Sequence, residues 1–343
     1  MIAKNGSSSD MSNAALTFGL MLSNRGPVLG YSTPAELIEL AVAAERSGLI
    51  DTVWSGDAFL TNPRLDSITL LTAVAARTER VRLGPACMGS FTQRTALDLA
   101  YQWASLDQIS GGRTVMVACV GGGSGEAWER EDRNTGVPSA ERRDLMWERI
   151  ALLHRLWAED EITFQGRFHD YEQVTITPKP LRQPCPIWAA TNITRLASGG
   201  SSGRMPVKTL AKVGEVCDGW MTHSVTPATF SEAWGHIRAS ATVNGKDPEA
   251  MDNALVVNIC VRDDPAEALA ETVDFLANYY GIRFSPERTR DWTAHGSAEA
   301  CAATLRAYAG SGVKHMALRM TSRDQTGQFE RLVNDVLPLV NQI

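Results

Sequence analysis

Four glycines within five residues, Gly121, Gly122, Gly123 and Gly125, follow the apolar run RTVMVACV in the stretch SLDQISGGRTVMVACVGGGSG. A plain turn needs one or two residues at positive φ, not four. Glycine after a strand lets backbone approach a ligand closely, whereas glycine after a helix, as at Gly111 and Gly112, is an ordinary cap. Gly121 and Gly122 therefore read as ligand contacts. Two polar residues close other apolar runs: His223 ends DGWMTH and Arg319 lies in KHMALRM. A histidine that titrates near neutrality can move a proton, and an arginine can pair with an anion or stabilise developing negative charge. The bland alternatives are a strand-capping hydrogen bond for His223 and a surface salt bridge for Arg319. Asp57, which ends DTVWSGD, reads as hydrogen-bonding support for neighbouring backbone or for a cofactor.

Several other chemistries lack their residues. The six histidines form no H-E-x-x-H or H-x-H pair and the six cysteines form no C-x-x-C, so no metal is expected and the cysteines read as reduced thiols. GGGSG leads to Glu126 rather than to Gly-Lys-Ser/Thr, and LSNRGPVLG stands where G-x-G-x-x-G would follow a first strand. Both nucleotide fingerprints are thus missing. With 33 basic and 39 acidic residues the net charge is −6, and no block of five like charges occurs, which disfavours nucleic acid and anionic membranes. No apolar run approaches the roughly 18 residues of a membrane span, and MIAKNGSSSDMSNAA lacks the apolar core of a signal peptide. A cytoplasmic location is the resulting expectation.

The elements that must hold these residues follow from hydrophobic patterning. Strands are expected at 16–22, 51–57, 80–88, 113–120, 185–192, 218–223, 253–261 and 314–320, with amphipathic helices such as PAELIELAVAAERSG between them. Eight strands, several apolar throughout as both-face-buried parallel strands are, predict a (β/α)8 TIM barrel rather than an open doubly wound sheet. Residues 1–14 are expected to form a disordered tail and 15–343 a single barrel domain with insertions after strands 4, 5 and 7. The first insertion should hold a helix around RRDLMWERIALLHRLW and a hairpin in ITFQGRFHDYEQVTI. The second is the serine-glycine loop NITRLASGGSSGRMP, a candidate lid. The third, ANYYGIRFSPERTRDWTAHGS, either covers the barrel mouth or makes a subunit contact. Trp54, Trp188 and Trp220 fall inside strands and are expected in the core.

SLDQISGGRTVMVACVGGG resembles the Leu-Asp-x-Leu-Ser-x-Gly-Arg block of the bacterial luciferase-like flavin monooxygenases, and DTVWSGD, RVRLGPAC, LAKVGEVCDGWM and GSAEACAATLRAYAGSGVKHMALRM are similar to further blocks of that family in the same order. The resemblance spans about residues 16 to 340 and implies the same barrel. It also implies a flavin at the barrel mouth, its ring against Ala86, Cys87, Met88, Gly121 and Gly122, with a non-prolyl cis peptide between Ala86 and Met88. The flavin phosphate is implied at Thr191 and Asn192, with a charge partner at Arg143, or failing that at Arg204.

Three departures stand out. Asp57-Ala58 replaces the family's common Asp-His, Arg94-Thr95-Ala96 replaces Arg-His-Pro or Arg-Asn-Pro, and the 192–206 loop is long. The leading expectation is a monooxygenase using reduced FMN and O2 on a small organic substrate, with a separate flavin reductase, His223 and Arg319 acting on substrate or oxygen adduct. The alternatives are a deazaflavin-dependent hydride-transfer enzyme and a non-catalytic flavin-binding protein, each possibly a homo-oligomer.

Overall fold

A computed structural model describes residues 16–191, 193 and 205–340. The tail expected at 1–14 lies outside the described residues. Eleven strands follow in chain order: β1 (Thr17–Leu22), β2 (Thr52–Ser55), β3 (Arg82–Pro85), β4 (Met116–Ala118), β5 (Ile162–Gln165), β6 (Asp170–Val174), β7 (Ile187–Ala190), β8 (Gly219–His223), β9 (Asp252–Val261), β10 (Thr293–Gly296) and β11 (His315–Met320). Eight form one parallel sheet in the order β3-β2-β1-β11-β9-β8-β7-β4. Its ends meet through parallel bridges at Leu83–Thr114 and Met88–Ala118, with the Met88 amide donating to the Val117 carbonyl at 2.8 Å. The result is the expected (β/α)8 barrel, and all eight barrel strands fall at the positions read from the sequence.

Two departures from eightfold regularity lie where insertions were expected. After β4 come the helices Glu126–Thr135 and Arg142–Ala158 and the antiparallel hairpin β5–β6. After β9 come the helices Pro265–Tyr280 and Pro286–Asp291 and the extra strand β10. β9 is long enough to serve two neighbours: Asp252 to Val256 pair with β8, and Asn258 to Val261 pair with β10.

Alternation along each strand sorts the core into two layers. Outward residues such as Leu20, Val53, Leu83, Leu255 and Leu318 pack under the helices. Inward residues Met21, Trp54, Val115, Val117, Trp188, Met221, Ala254, Val256 and Ala317 fill the barrel. Two indoles fit inside because small residues face them: a Cβ on Gly19 or Gly84 would strike Trp54, and one on Gly219 would strike Trp188. Trp54, Trp188 and Trp220 are all buried, as expected of core residues.

The block that carries the family resemblance is largely a fold device. Asp107 is fully buried and its carboxylate accepts from the Thr114 hydroxyl at 2.6 Å and from the Leu181 and Arg182 amides at 2.7 and 3.2 Å. Arg113 donates to the carbonyls of Ala75, Thr78 and Val81. These residues tie the start of β4 to the end of the helix Ser67–Ala75 and to the entry of β3, and so deliver the glycine loop to the opposite end of the barrel.

Candidate active site

A cleft of about 1160 Å³ opens at the C-terminal ends of the barrel strands, where loops rather than strand registry decide the lining. Its glycine wall is bare backbone for internal reasons. Gly121 has φ +61° and a Cβ there would strike the Gly89 carbonyl; Gly122 has φ +95°. A Cβ on Gly123 would meet the Trp128 indole at 2.5 Å. The glycines are thus required by the loop's own geometry, and the consequence is a ligand-sized surface without side chains.

Asp57, Ala86, Cys87, Gly121, Gly122, His223 and Arg319 all line this one cleft. Asp57 is held by the Ser67 hydroxyl at 2.8 Å and the Ser90 amide at 2.7 Å, with Arg94 at 3.8 Å, so it braces the wall. The Ala86–Cys87 peptide is cis, at the third-strand end where the resemblance directs attention. Met88 is not in the lining. Beyond the end of β3 at Pro85, Ala86 and Cys87 both face the cleft, while Met88 packs into the helix layer, where it is fully buried.

The expected phosphate clamp is not brought together. Arg143 has a side chain 67% exposed, pairs with Asp144 at 3.7 Å and does not line the cleft. Consecutive residues on a helix point about 100° apart, so only one of two adjacent arginines can face the glycine loop. Arg142 does so: it is buried, pairs with Asp132 at 2.6 Å and approaches Glu131 at 3.8 Å. Thr191 turns away from the cleft, its hydroxyl accepting from the Trp220 indole at 2.7 Å and its carbonyl from Thr222 at 2.9 Å. Asn192 and Arg204 lie outside the described residues.

Opposite the glycine wall, the segment left open in sequence terms covers the mouth: Tyr280, Phe284, Arg288 and Trp292 line the cleft. These were not singled out from the sequence. Their signal was only a cluster of aromatics and arginines in an irregular segment. His223 packs against Trp292 with ring centroids 5.5 Å apart and planes tilted by 33°, and its Nδ1 is 2.8 Å from the Ser224 hydroxyl. Burial first, then the positive charges of Arg319 and Arg288, lower its pKa to about 4. The expectation that this histidine titrates near neutrality is therefore corrected: it is a neutral imidazole at pH 7. Arg319 is only 5% exposed, with its guanidinium over the Tyr279 and Tyr280 rings at 5.3 and 5.5 Å.

A family model described as luciferase-like monooxygenase matches residues 16–315. The chain belongs to this luciferase-like family. Members are oxidoreductases, and this chain is one of them. Among curated relatives, an F420-dependent glucose-6-phosphate dehydrogenase of Kineococcus radiotolerans is 25% identical over 91% of this chain and 96% of its own length. One of Amycolatopsis mediterranei is 25% identical over 89% and 94%. An FMNH(2)-dependent dimethylsulfone monooxygenase of Pseudomonas putida is 28% identical, over 70% of this chain and 61% of its own. A solved F420-dependent secondary alcohol dehydrogenase has the same fold, with a TM-score of 0.77 at 18% identity over 95% of this chain and 99% of that one.

These luciferase-like relatives overturn the expectation of a reduced-FMN, O2-using monooxygenase. Among the curated relatives, the F420-dependent dehydrogenases align nearly end to end, whereas the FMNH(2)-dependent monooxygenase aligns over part of its length. The reason the sequence misled is physical. F420-dependent enzymes and monooxygenases share this one barrel, and Asp57-Ala58, which counts mildly against a deazaflavin enzyme in the sequence, does not exclude one. Among the described residues no helix is long and apolar enough to cross a membrane, and no cluster of histidine, cysteine or carboxylate could hold a metal.

Proposed function

We propose that this protein is a deazaflavin-dependent oxidoreductase that moves a hydride between its cofactor and a small hydroxyl-bearing substrate. The near full-length similarity to F420-dependent dehydrogenases carries this reading. The cleft fits such a group: the glycine wall admits a flat ring against backbone, and about 1160 Å³ leaves room for a substrate beside it. A bound deazaflavin supplies the hydride acceptor.

The chain's own residues supply orientation and a proton acceptor. As the substrate C–H leaves with its electron pair, the O–H proton must go elsewhere, and the product is a carbonyl. His223 is the neutral base on the cleft wall. With Nδ1–H donated to the Ser224 hydroxyl, Nε2 is left with its lone pair to take that proton. Ala86 and Cys87 with the glycine loop form the ring wall, and Trp292 limits the water that reaches His223.

The test is binding and turnover of the purified chain. F420 is expected to bind at least tenfold more tightly than FMN in a fluorescence titration, and oxidised F420 to be bleached by a hydroxylated substrate under strict exclusion of oxygen. Tight FMN binding with substrate-dependent oxygen consumption and no F420 binding would overturn the reading.

A further inference from the structure

At and behind the cleft wall opposite the glycine loop, the protein leaves several buried polar atoms without partners. Asn258, Thr293 and Arg319 stand side by side on β9, β10 and β11, because Asn258 is in register with both others. Register partners on a parallel sheet point to the same face; Arg319 reaches the cleft lining, whereas Asn258 and Thr293 are not in that lining and Thr293 borders a neighbouring cavity. Asn258 is 0% exposed and neither its amide nitrogen nor its amide oxygen has a partner; the Thr293 hydroxyl and the Arg319 Nε are also buried and unpartnered. The Trp292 Nε1 and the Arg288 Nε, on the adjoining cleft wall, are in the same condition. More than nine in ten buried polar groups in proteins are paired, so the three of these residues that line the cleft, Arg288, Trp292 and Arg319, point to an occupant.

The charge balance says what kind. Arg319 is a buried cation whose guanidinium donates to the Tyr280 hydroxyl and to the Met21 sulfur, a weak acceptor, and lies over two tyrosine rings. No carboxylate pairs with Arg319 or Arg288 among the described residues. The two acidic side chains of the cleft lie on other parts of its wall and are already engaged, Asp57 by Ser67 and Ser90 and Glu131 by the Leu60 and Thr61 amides. A buried charge without a counter-charge is costly, and no described residue supplies one here, so the arginines are set to receive a bound anion.

We infer that the substrate is an anion, a hydroxylated carboxylate or phosphate ester, and that its charged group seats against Arg288 and Arg319 on the cleft wall. The seat places the charged end of the substrate beside the wall that carries His223 and leaves the glycine wall to the ring. This rests on the reading of the cleft as an oxidoreductase site, and it assigns Arg319 to substrate binding.

The experiment is calorimetric titration of the full chain, without cofactor, with inorganic phosphate and separately with acetate, against sodium chloride at matched ionic strength. At least one of the two is expected to bind saturably, and Arg288→Gln and Arg319→Gln are each expected to weaken it at least tenfold, while Arg77→Gln, at an exposed pair with Glu39, leaves it unchanged. Arg288 is partly exposed, so its variant stays informative if Arg319→Gln folds poorly. No saturable binding of either anion, or equal binding in all variants, overturns the inference. A second titration with F420 at saturating phosphate separates the sources. Unchanged F420 affinity keeps the seat for the substrate, whereas competition gives it to an anionic group of the cofactor and overturns the substrate assignment. Failure of F420 to bind at all would sink the proposed cofactor and leave the anion result standing.

Discussion

The Trp54 indole donates to Nε2 of His315 at 2.9 Å across the interior of the barrel. This bond fixes the imidazole as the Nδ1–H tautomer, which donates to the Thr17 hydroxyl at 2.8 Å. Burial, with a smaller contribution from Arg82, lowers His315 to about 3.

A folded-state pKa depressed below the unfolded 6.5 means that the unfolded chain binds the proton first on acidification. His315 and His223 therefore add stability that is complete above about pH 6.5 and is lost as pH falls towards 4 and 3. Each contributes a slope of up to about 1.4 kcal/mol per pH unit in that window. His315→Gln keeps an acceptor for Trp54 but does not titrate. Urea denaturation of this variant is expected to show a shallower loss between pH 6.5 and 4.5 than the parent, and identical slopes would refute the assignment.

Gly84 makes room for Trp54, and a Cβ there would meet both that indole and the Val115 carbonyl on the next strand. The backbone atom cannot move without disturbing barrel closure. Gly84→Ala is expected to cost about 1 to 3 kcal/mol in chemical denaturation, the usual range for overpacking. A neutral result would mean that the closing contact between β3 and β4 is looser than described.

Arg142 and Arg143 should behave oppositely. Arg142→Gln leaves Asp132 and the nearly buried Glu131 without their cation and is expected to destabilise by about 3 kcal/mol or more. Arg143→Gln removes only an exposed pair and is expected within about 0.5 kcal/mol of the parent. Both are read by denaturant midpoint; comparable losses would contradict the burial difference.

His223→Asn is expected to lower F420 turnover about 100-fold or more, with F420 affinity within a few fold. The pH profile gives a second reading. The acid limb of kcat/KM reports the free enzyme and should lie near pH 4, so the profile stays flat from pH 8 to about 5. An anion seated on Arg319 and Arg288 offsets the charges that depress His223, so the limb of kcat should move to higher pH. A kcat/KM limb at 6.5 would return His223 to an ordinary exposed imidazole.

The sequence by itself determined the barrel. Eight strand-length runs, several of them apolar on both faces, fit parallel strands buried under helices, and that pattern is local, written in the order of residues such as those of RTVMVACV. Strand ends likewise carried His223, Arg319, Ala86, Cys87 and the glycine loop to one mouth. What the tertiary structure decided is finer in every case. Which of Arg142 and Arg143 faces inward depends on the phase of a helix against a loop 20 residues earlier. That Ala86 and Cys87 line the cleft and Met88 does not depends on the course of the chain just beyond β3, where strand alternation no longer applies. The wall of Tyr280, Arg288 and Trp292 comes from an irregular insertion without periodicity, so no pattern could place it. The state of His223 was beyond the sequence for a similar reason: a histidine's pKa belongs to its surroundings, and here burial and two arginines far away in the chain set it.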